Sequence, residues 1–460
     1  MFKKSLALLL AVCCIIGLLA GCGGKTGSDG DKVTITVGNW PTSTGTAEYE
    51  KWNYYLEQMN KKYPEIEIVQ DTWAYRPDTF VPKAASKQLP TVYPTFLTEV
   101  DKIVNNGYAL DVTHLLEKYG YIGESDPQVL SIATRDGKIY GIPQDAYCLG
   151  LMVNVDIFKE AGLTNEDGTP MIPQTYDEML ETAKIIKAKT GKAGFILPTN
   201  GNQGGWLGSS MAWSFGTEFM KEVDGKWQAT FNGDGFVAWL QYMKDMRWEH
   251  NVIYEKSLID YSDMINLFAT GQAAMTINST GYMPSVLIEQ YGMSRDSIAI
   301  GAIPGGAAGR YSLVGGALYM IAPNATEEQA EAVFKWIEIV GNSPVINDDT
   351  KEAWRISAET ESAQGRIVGV EPLGIWGRDG EVFKTKMDII APYTNVDLKM
   401  FEGYMDTASV ELRVEEPMFC QELYKTIDDC LQAVLSDANA DVRAIAEKAN
   451  SNFQKNYFDN

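Results

Sequence analysis

The sequence predicts an α/β fold with more than one domain. A short β-branched strand at Val33–Val37 is followed by a helical pattern over Ala47–Lys62, which stops before Pro64, and by a second strand at 66–69. Strands and helices alternate in this way in parallel-sheet α/β proteins. About 430 residues follow the first 31 of the chain, enough for two or three domains, and a hydrophobic content of 45% can supply their cores.

The same alternation continues along the chain. A strand at 95–97 precedes a helix near 99–106, and two short strands at 138–142 and 148–153 flank a connection at 143–146. A helix at Val155–Ala161 ends at Gly162, a residue type that favours helix C-termini. Thr175 and Glu178 have the spacing of a capping box before a long helix. Further strands are predicted at 194–197, 273–277, 297–303 and 315–320, and further helices at Asp234–Trp248, 261–268, 327–340, 423–435 and 442–454.

The N-terminus has the order of a secretory signal: Lys3 and Lys4, then an apolar run at 6–20 that ends in Leu-Ala-Gly-Cys at 19–22. About 15 apolar residues are too few for a bilayer-spanning helix, which needs roughly 20. The segment resembles a bacterial lipoprotein signal, although an ordinary signal peptide is the alternative. We therefore expect removal of residues 1–21, a lipid anchor on Cys22 and a flexible tether at 22–31, which places the protein outside the cytoplasm on the cell membrane.

Charge and metal-ligand content narrow the functional classes. The formal net charge is −22, and removal of Lys3 and Lys4 with the signal makes it −24. Such a chain repels phosphate backbones, so we expect no nucleic-acid partner. Of the six cysteines, Cys420 and Cys430 lie ten residues apart in one predicted helix, a separation of about 15 Å that a disulfide cannot bridge. With two histidines and no zinc motif, we expect no metal and no cofactor.

Three stretches together resemble the bacterial extracellular solute-binding proteins of carbohydrate ABC transporters, the group that includes the maltodextrin-binding proteins. The first is DGKIYGIP at 136–143 with NVDIFKEAGL at 154–163, where Val153 and Tyr176 replace the family's usual Tyr and Trp. The second is FATGQAAMTINSTGYM at 268–283, in which Tyr282 takes the place of the family's final aromatic residue. The third is GGALYMIAPNATEEQAEAVFKWI at 315–337.

The resemblance implies a periplasmic-binding-protein-like fold of type II: two α/β lobes, a hinge and a ligand cleft between the lobes. Carried onto this chain, lobe one comprises 32–143 plus 316–345, and lobe two comprises 147–312 plus 346–460. The chain is then expected to cross between the lobes near 143–147, 314–316 and 341–346. Short crossover connections of this kind suit closure about a hinge, and ligand sites favour domain interfaces.

The resemblance also implies a function. We expect a monomeric, lipid-anchored receptor that binds a carbohydrate, in particular an oligosaccharide, and delivers it to the permease of an ABC transporter. Two alternatives stay open: a secreted glycoside-acting enzyme, and a binding protein for a non-sugar solute such as a peptide. A glycosidase needs two carboxylates about 5–10 Å apart, but no local motif singles out such a pair. No G-x-S-x-G elbow or P-loop is present either, so we expect no catalytic residue.

A saccharide presents apolar ring faces and a rim of hydroxyls, which aromatic side chains, carboxylates and amides bind well. Residues of these types follow predicted strands, where open α/β sheets place ligands. Glycines at 315 and 316 allow close approach of a ligand to the backbone, and 198–206 is predicted to be a glycine-rich loop. The candidate ligand-binding residues are Asn39, Trp40, Asp71, Trp73, Glu99, Asp145, Tyr147, Asn202, Trp206, Tyr282, Gly315, Gly316, Trp376 and Arg378.

Overall fold

The computed structural model describes residues 32–459 and has the predicted two-lobe α/β character. Cys22 and the signal lie outside the described residues. The strands are β1 Val33–Val37, β2 Ile66–Gln70, β3 Val92–Phe96, β4 Thr134–Arg135, β5 Lys138–Ile139, β6 Ile142–Cys148, β7 Gly150–Asn154, β8 Ala193–Phe195, β9 Met220–Val223, β10 Lys226–Ala229, β11 Ala273–Asn278, β12 Ile298–Ala302, β13 Tyr311–Ile321 and β14 Glu411–Val414.

The helices are α1 Ala47–Lys62, α2 Pro77–Ala85, α3 Val100–Asn105, α4 Thr113–Lys118, α5 Tyr121–Glu124, α6 Pro127–Ile132, α7 Val155–Ala161, α8 Tyr176–Thr190, α9 Gln203–Ser214, α10 Asp234–Trp248, α11 Tyr261–Ala269, α12 Tyr282–Glu289, α13 Glu327–Ile339, α14 Asp348–Ala363, α15 Glu381–Ile390, α16 Glu402–Met405, α17 Cys420–Ser436 and α18 Val442–Phe453. None of these helices is long and apolar enough to cross a membrane.

Each lobe is organised around one sheet. In lobe one, β1 lies between β2 and β3 and is parallel to both, while β13 joins the other side of β3 in the antiparallel sense. In lobe two the order is β12-β7-β11-β8, in which only β11 and β8 are parallel. The alternating strand–helix pattern of the sequence therefore corresponds to two separate sheets, each with helices packed against it.

Strand β13 connects the lobes. Its first half, 311–314, pairs with β14, its second half, 317–321, pairs with β3, and β6 runs along its opposite edge from 314 to 319. The sequence predicts a turn-like connection at 143–146, but β6 is continuous through these residues because β13 supplies the pairing partners. Such long-range pairing is not visible in the local sequence.

The C-terminal segment divides between the lobes. Helices α14 and α15 pack on the lobe-one side, since α14 contacts α1 and α13, whereas α17 packs on α9 and α10 in lobe two. The predicted crossing at 341–346 instead leads from α13 to α14, so the chain reaches lobe two only after α15. This differs from the predicted assignment of all of 346–460 to lobe two, and the exact lobe boundaries stay a prediction.

The segment predicted as a glycine-rich loop at 198–206 contains the start of helix α9. Gly204 and Gly205 are buried because α17 lies directly against them: a Cβ on Gly205 would be 2.3 Å from Cα of Tyr424. Glycine lowers intrinsic helix propensity, but here it permits close helix–helix packing. Asn202 stands at the helix N-terminus with a left-handed φ of 68°.

Candidate functional site

A cleft lies between the lobes along β6 and β13. It consists of three adjoining cavities of about 630, 230 and 380 Å³. Phe96 lines the first and second cavities, Asp145 the first and third, and Tyr147 the second and third. Residues from both lobes therefore surround one continuous space, as ligand sites at domain interfaces commonly do.

The floor of the cleft depends on two glycines of β13. Gly315 pairs with Tyr147, and a Cβ at Gly315 would lie 2.3 Å from Cζ of the tyrosine ring. Gly316 adopts a φ of 148°, and a Cβ there would lie 2.3 Å from the backbone oxygen of Asp145. Only glycine fits at either position without displacing β6, so these two residues determine where Tyr147 and Asp145 lie.

Four aromatic side chains form a continuous series that begins at the cleft, where Tyr147 and Trp206 line the second cavity, and continues through Tyr261 to Tyr282. The ring of Tyr147 lies edge-on to Trp206 with centroids 6.3 Å apart, and Trp206 lies 6.0 Å from Tyr261. Tyr261 stacks on Tyr282 at 6.1 Å with an interplanar angle of 26°. Tyr282 is 67% exposed, so the series runs from the floor of the cleft to a solvent-facing ring. We refer to these four residues as the aromatic series.

Lobe one contributes aromatic and polar groups to the facing wall. Phe96 is 49% exposed and lies 5.7 Å, edge to face, from Tyr75. The hydroxyl of Tyr75 donates to the carboxylate of Glu99, which is buried behind it. Asn342 donates from Nδ2 to the backbone oxygen of Gln144 at 2.9 Å at the hinge side of the same cavity.

Two cleft carboxyl groups have raised pKa values. Asp145 is exposed to the cleft, but desolvation by the protein around it raises its pKa to about 6, against the opposing effect of the Ala317 backbone N–H. Burial likewise raises the pKa of Glu415 to about 7, although the hydroxyl of Tyr424 donates to Glu415 at 2.6 Å. The protein around both groups therefore compensates their negative charge poorly.

Asn202 reaches the cleft from the N-terminus of α9. Its backbone N–H donates to Asp428 at 2.7 Å, and its side-chain Nδ2 donates to Gln421 at 3.2 Å. Gln203, the first residue of the helix, and Trp206, about one turn later, line the second cavity together with Asn202. The predicted residues Asn202, Trp206, Tyr147 and Gly316 are thus brought together, and Asn39 and Asp145 line the neighbouring lobe-one cavity.

Trp40 lies in the core instead of on the cleft wall. It is 2% exposed, and its ring contacts Trp52 at 5.0 Å and Trp336 at 5.7 Å. A side chain covered in this way offers no ring face to a ligand. The placement corrects the predicted role of Trp40 as a sugar platform, because a strand-end position does not determine which way the side chain points.

Three other lobe-one candidates stand outside the cavities of the cleft. The carboxylate of Asp71 accepts from the backbone N–H of Trp73 at 2.8 Å and so shapes the turn after β2. Trp73 stacks on Phe80 at 6.5 Å. Glu99 is 4% exposed and acts behind Tyr75. In this conformation these residues support the wall without lining it.

The last two candidates lie near the third cavity. Trp376 borders it, but is 2% exposed and packs at 5.7 Å from Tyr121. Arg378 donates to the backbone oxygens of Pro372 and Met405 at 2.9 and 3.1 Å, and these bonds fix the local loop. A buried ring and a guanidinium committed to carbonyls are poor ligand contacts, so the structure assigns both residues a structural role.

Several residues in or next to the cleft were not predicted from the sequence. Phe96 is the last residue of β3, and strand-end position could have identified it, as it did its neighbours. Glu415, which lines the second cavity, and Tyr261, which packs behind Trp206, carry no such signal, because each is placed there by contacts with residues far away in the chain. Within 32–459 no group of three or more His, Cys, Asp or Glu side chains is arranged to hold a metal ion.

The fold has many relatives among solved structures. The chain superimposes on maltose-bound MalE3 of T. maritima with a TM-score of 0.67 and 20% identity, covering 92% of this chain and 99% of that one. UgpB from Mycobacterium tuberculosis, in complex with glycerophosphocholine, gives a TM-score of 0.68 at 16% identity, covering 93% and 98%. At identities this low, the TM-scores establish a shared fold and nothing beyond it. That fold confirms the predicted type II periplasmic-binding-protein-like class.

Relatives in sequence point the same way. The lactose-binding protein of Rhizobium radiobacter is 27% identical over 38% of this chain and 31% of its own length. The arabinooligosaccharide-binding protein of Bacillus subtilis is 23% identical over 54% and 55%. The matches thus span between a third and about half of these two relatives. The family model for bacterial extracellular solute-binding proteins matches residues 42–343, more than half of the 460 residues, so the chain belongs to that family.

Proposed function

We propose that this protein is a receptor that binds a carbohydrate of more than one sugar unit in the interlobe cleft and delivers it to the permease of an ABC transporter. The observation that carries the proposal is the aromatic series, which leads from Tyr147 and Trp206 in the cleft through Tyr261 to the exposed ring of Tyr282. Successive ring faces suit successive sugar rings, since the C–H face of a pyranose packs on an aromatic side chain.

The opposite wall supports the same ligand class. On that wall Phe96 and Tyr75 supply further apolar surface, and elsewhere in the cleft Asp145, Glu415 and Asn202 supply acceptors and donors for hydroxyl groups. Relatives named for lactose and for arabinooligosaccharides fit this chemistry. The proposed contacts include Asn39, Asp145, Tyr147, Asn202, Trp206, Tyr282, Gly315 and Gly316, and the protein performs no bond-making step.

Calorimetric titration with a panel of neutral mono-, di- and oligosaccharides tests the proposal. Removing a ring that contacts sugar lowers affinity with little effect on folding, so we expect Trp206→Ala and Tyr282→Ala to weaken binding at least about tenfold, or 1.4 kcal/mol. Tyr291→Ala is the matched control, because Tyr291 is also exposed, at 43%, but is not part of the aromatic series.

Failure of every saccharide to bind, together with binding of a peptide library, would favour the alternative of a non-sugar receptor. Release of shortened products from a bound oligosaccharide would favour the glycoside-acting enzyme. Binding with normal affinity by Tyr282→Ala and Trp206→Ala would show that the ligand does not use the aromatic series.

We further propose that Cys22, outside the described residues, carries a lipid that holds the receptor at the cell membrane. The Leu-Ala-Gly-Cys sequence and the polar segment behind it motivate this proposal. Metabolic labelling with a fatty-acid probe tests it: the native chain should be labelled and Cys22→Ser should not, because a hydroxyl lacks the thiol chemistry of acylation. Equal labelling of both would contradict the anchor.

A further inference from the structure

The basic side chains that line the cleft are already committed to acidic neighbours. Nζ of Lys51 lies 2.9 Å from Oε2 of Glu48, and Nζ of Lys386 lies 2.8 Å from Oε1 of Glu371. Both pairs lie within the lining of the cleft. A lysine neutralised in this way has little remaining attraction for a bound anion.

Three acidic side chains of the cleft have no basic partner among the described residues: Asp145, Glu361 and Glu415. Asp145 and Glu361 line the same two cavities. The carboxylate of Glu361 accepts a 3.1 Å hydrogen bond from the hydroxyl of Ser357. Glu415 lines the second cavity, where Tyr424 donates to it. The lining thus carries five carboxylates against two lysines, a formal charge of −3 when all are ionised.

Each of the three carboxylates lines a cavity that Tyr147 also lines: Asp145 and Glu361 line the third cavity, and Glu415 lines the second. Burial raises the pKa of the Tyr147 hydroxyl, and the negative charges of Glu415 and Asp145 raise it further. Charge in a partly enclosed cleft is poorly screened by water, so it acts on a ligand more strongly than charge on an open surface.

We propose that the cleft selects against anionic solutes, so that its ligand is a neutral or amino-bearing saccharide instead of a uronate or a phosphorylated polyol. The inference rests on the proposed carbohydrate-binding function and narrows its ligand class. It identifies Asp145, Glu361 and Glu415 as the residues that determine specificity. Hydroxyl and ammonium groups donate to these oxygens, whereas a ligand carboxylate or phosphate meets like charge, which is strongly unfavourable in an enclosed site.

The distinction matters because the family includes both ligand types. Some relatives are named for lactose or arabinooligosaccharides, and the UgpB proteins of Brucella, about as similar at 23–24% identity, are named for sn-glycerol 3-phosphate. Overall sequence identity therefore does not predict whether the ligand is a sugar or a phosphate ester. The net negative charge of the cleft lining favours the sugar.

The test compares four probes by calorimetry at pH 8: the neutral oligosaccharide that binds best in the panel, its 2-amino-2-deoxy analogue, its uronate analogue and sn-glycerol 3-phosphate. We expect the uronate to bind about a hundredfold more weakly than the neutral sugar, the amino analogue at least as tightly as the neutral sugar, and glycerol phosphate to show no binding at millimolar concentration. Binding of the uronate or of glycerol phosphate as tightly as the neutral sugar would overturn the inference.

Neutralising the three acids locates the effect. The D145N/E361Q/E415Q variant should bind the uronate within about threefold of the neutral sugar, whereas Glu249→Gln, an exposed acid outside the cleft, should keep the native discrimination. A triple variant that still rejects the uronate a hundredfold would also overturn the assignment. Absence of binding by every saccharide would instead contradict the proposed function, and glycerol phosphate would still report on the charge of the cleft.

Discussion

The carboxylate of Asp428 accepts a 2.7 Å hydrogen bond from the backbone N–H of Asn202, although the two residues are 226 positions apart. Asp428 is 1% exposed, lies on α17 and also accepts from the backbone N–H of Gly205 at 2.8 Å. It therefore satisfies unpaired N–H groups in the first turn of α9, where an acidic group also complements the helix dipole. Through this contact a residue outside the cleft positions two residues inside it, Asn202 and Trp206.

Replacing Asp428 should therefore affect both stability and binding. Asp428→Asn places an amide N–H against backbone donors, so we expect a loss of about 1–3 kcal/mol in the free energy of unfolding and weaker ligand binding by the folded fraction. Asp429→Asn is the control, because Asp429 is the next residue in the chain and its carboxylate pairs with Lys425 on the surface. Denaturant unfolding and calorimetry measure the two effects, and unchanged binding by Asp428→Asn would show that α9 holds its position without this contact.

Much of the fold follows from local sequence pattern. Alternating β-branched residues predict β1, and the apolar run at 273–277 predicts β11; both are present. Gly162 ends α7 with a left-handed φ of 72°, as predicted. Helix α9 and the full length of β6 could not be predicted in the same way, because their stability comes from contacts with α17 and β13, elements that are distant in sequence.

The candidate site was only partly predictable for a related reason. The rule that ligands bind at the carboxyl ends of strands selects positions. Asn39, after β1, lines the first cavity, whereas Asp71 and Trp73, after β2, line no cavity of the cleft. The rule does not predict the direction of a side chain. Trp40 points into the core, where it is covered by Trp336, a residue almost 300 positions away in the sequence. Glycine patterns were more informative, since Gly315 and Gly316 lie at the floor of the cleft.

Adding one methyl group at Gly315 should disturb the ligand site. The new Cβ would lie 2.3 Å from the ring of Tyr147, so Gly315→Ala must displace that ring, and overpacking of this kind costs about 1–3 kcal/mol. We expect affinity for the cognate saccharide to fall at least about tenfold. Gly123→Ala is the control, because a Cβ there meets no heavy atom within 4 Å. Equal affinities in the two variants would mean that Tyr147 does not contact the ligand.

Trp40 and Trp206 should behave oppositely when each is replaced by alanine. Trp40 is buried against Trp52 and Trp336, so its removal leaves a cavity and should cost about 3–5 kcal/mol of unfolding free energy. Binding by the protein that remains folded should change little. Trp206 is half-buried on the cleft wall, and its removal should mainly lower affinity. Parallel melting and calorimetric titration separate the two effects, and a ligand-binding defect confined to Trp40→Ala would refute this placement.

Stability should fall between pH 5 and pH 8. Desolvation by the surrounding protein raises the pKa of Asp145, which faces the cleft, and of the buried Asp428 to about 6, and that of Glu415 to about 7, above the ordinary values of 3.8 and 4.5. A carboxyl group whose pKa is raised by folding favours the folded state while it is protonated. That contribution is complete below the ordinary pKa and is lost as the pH rises through 6 to 7, because the fold must then accommodate charges that the unfolded chain exposes to water.

Urea unfolding at pH 5, 6.5 and 8 measures this dependence, with the Asp145→Asn/Glu415→Gln double variant beside the native protein. The unfolding free energy of the double variant should fall less between pH 5 and pH 8 than that of the native protein, because amides do not ionise. Acidic groups with lowered pKa values, such as Asp111 and Glu352, do not contribute to this decline, because their shift has the opposite sign. A native unfolding free energy that is flat or rises from pH 5 to pH 8 would show that water reaches these carboxylates freely, and the charge-based selectivity of the cleft would then be correspondingly weaker.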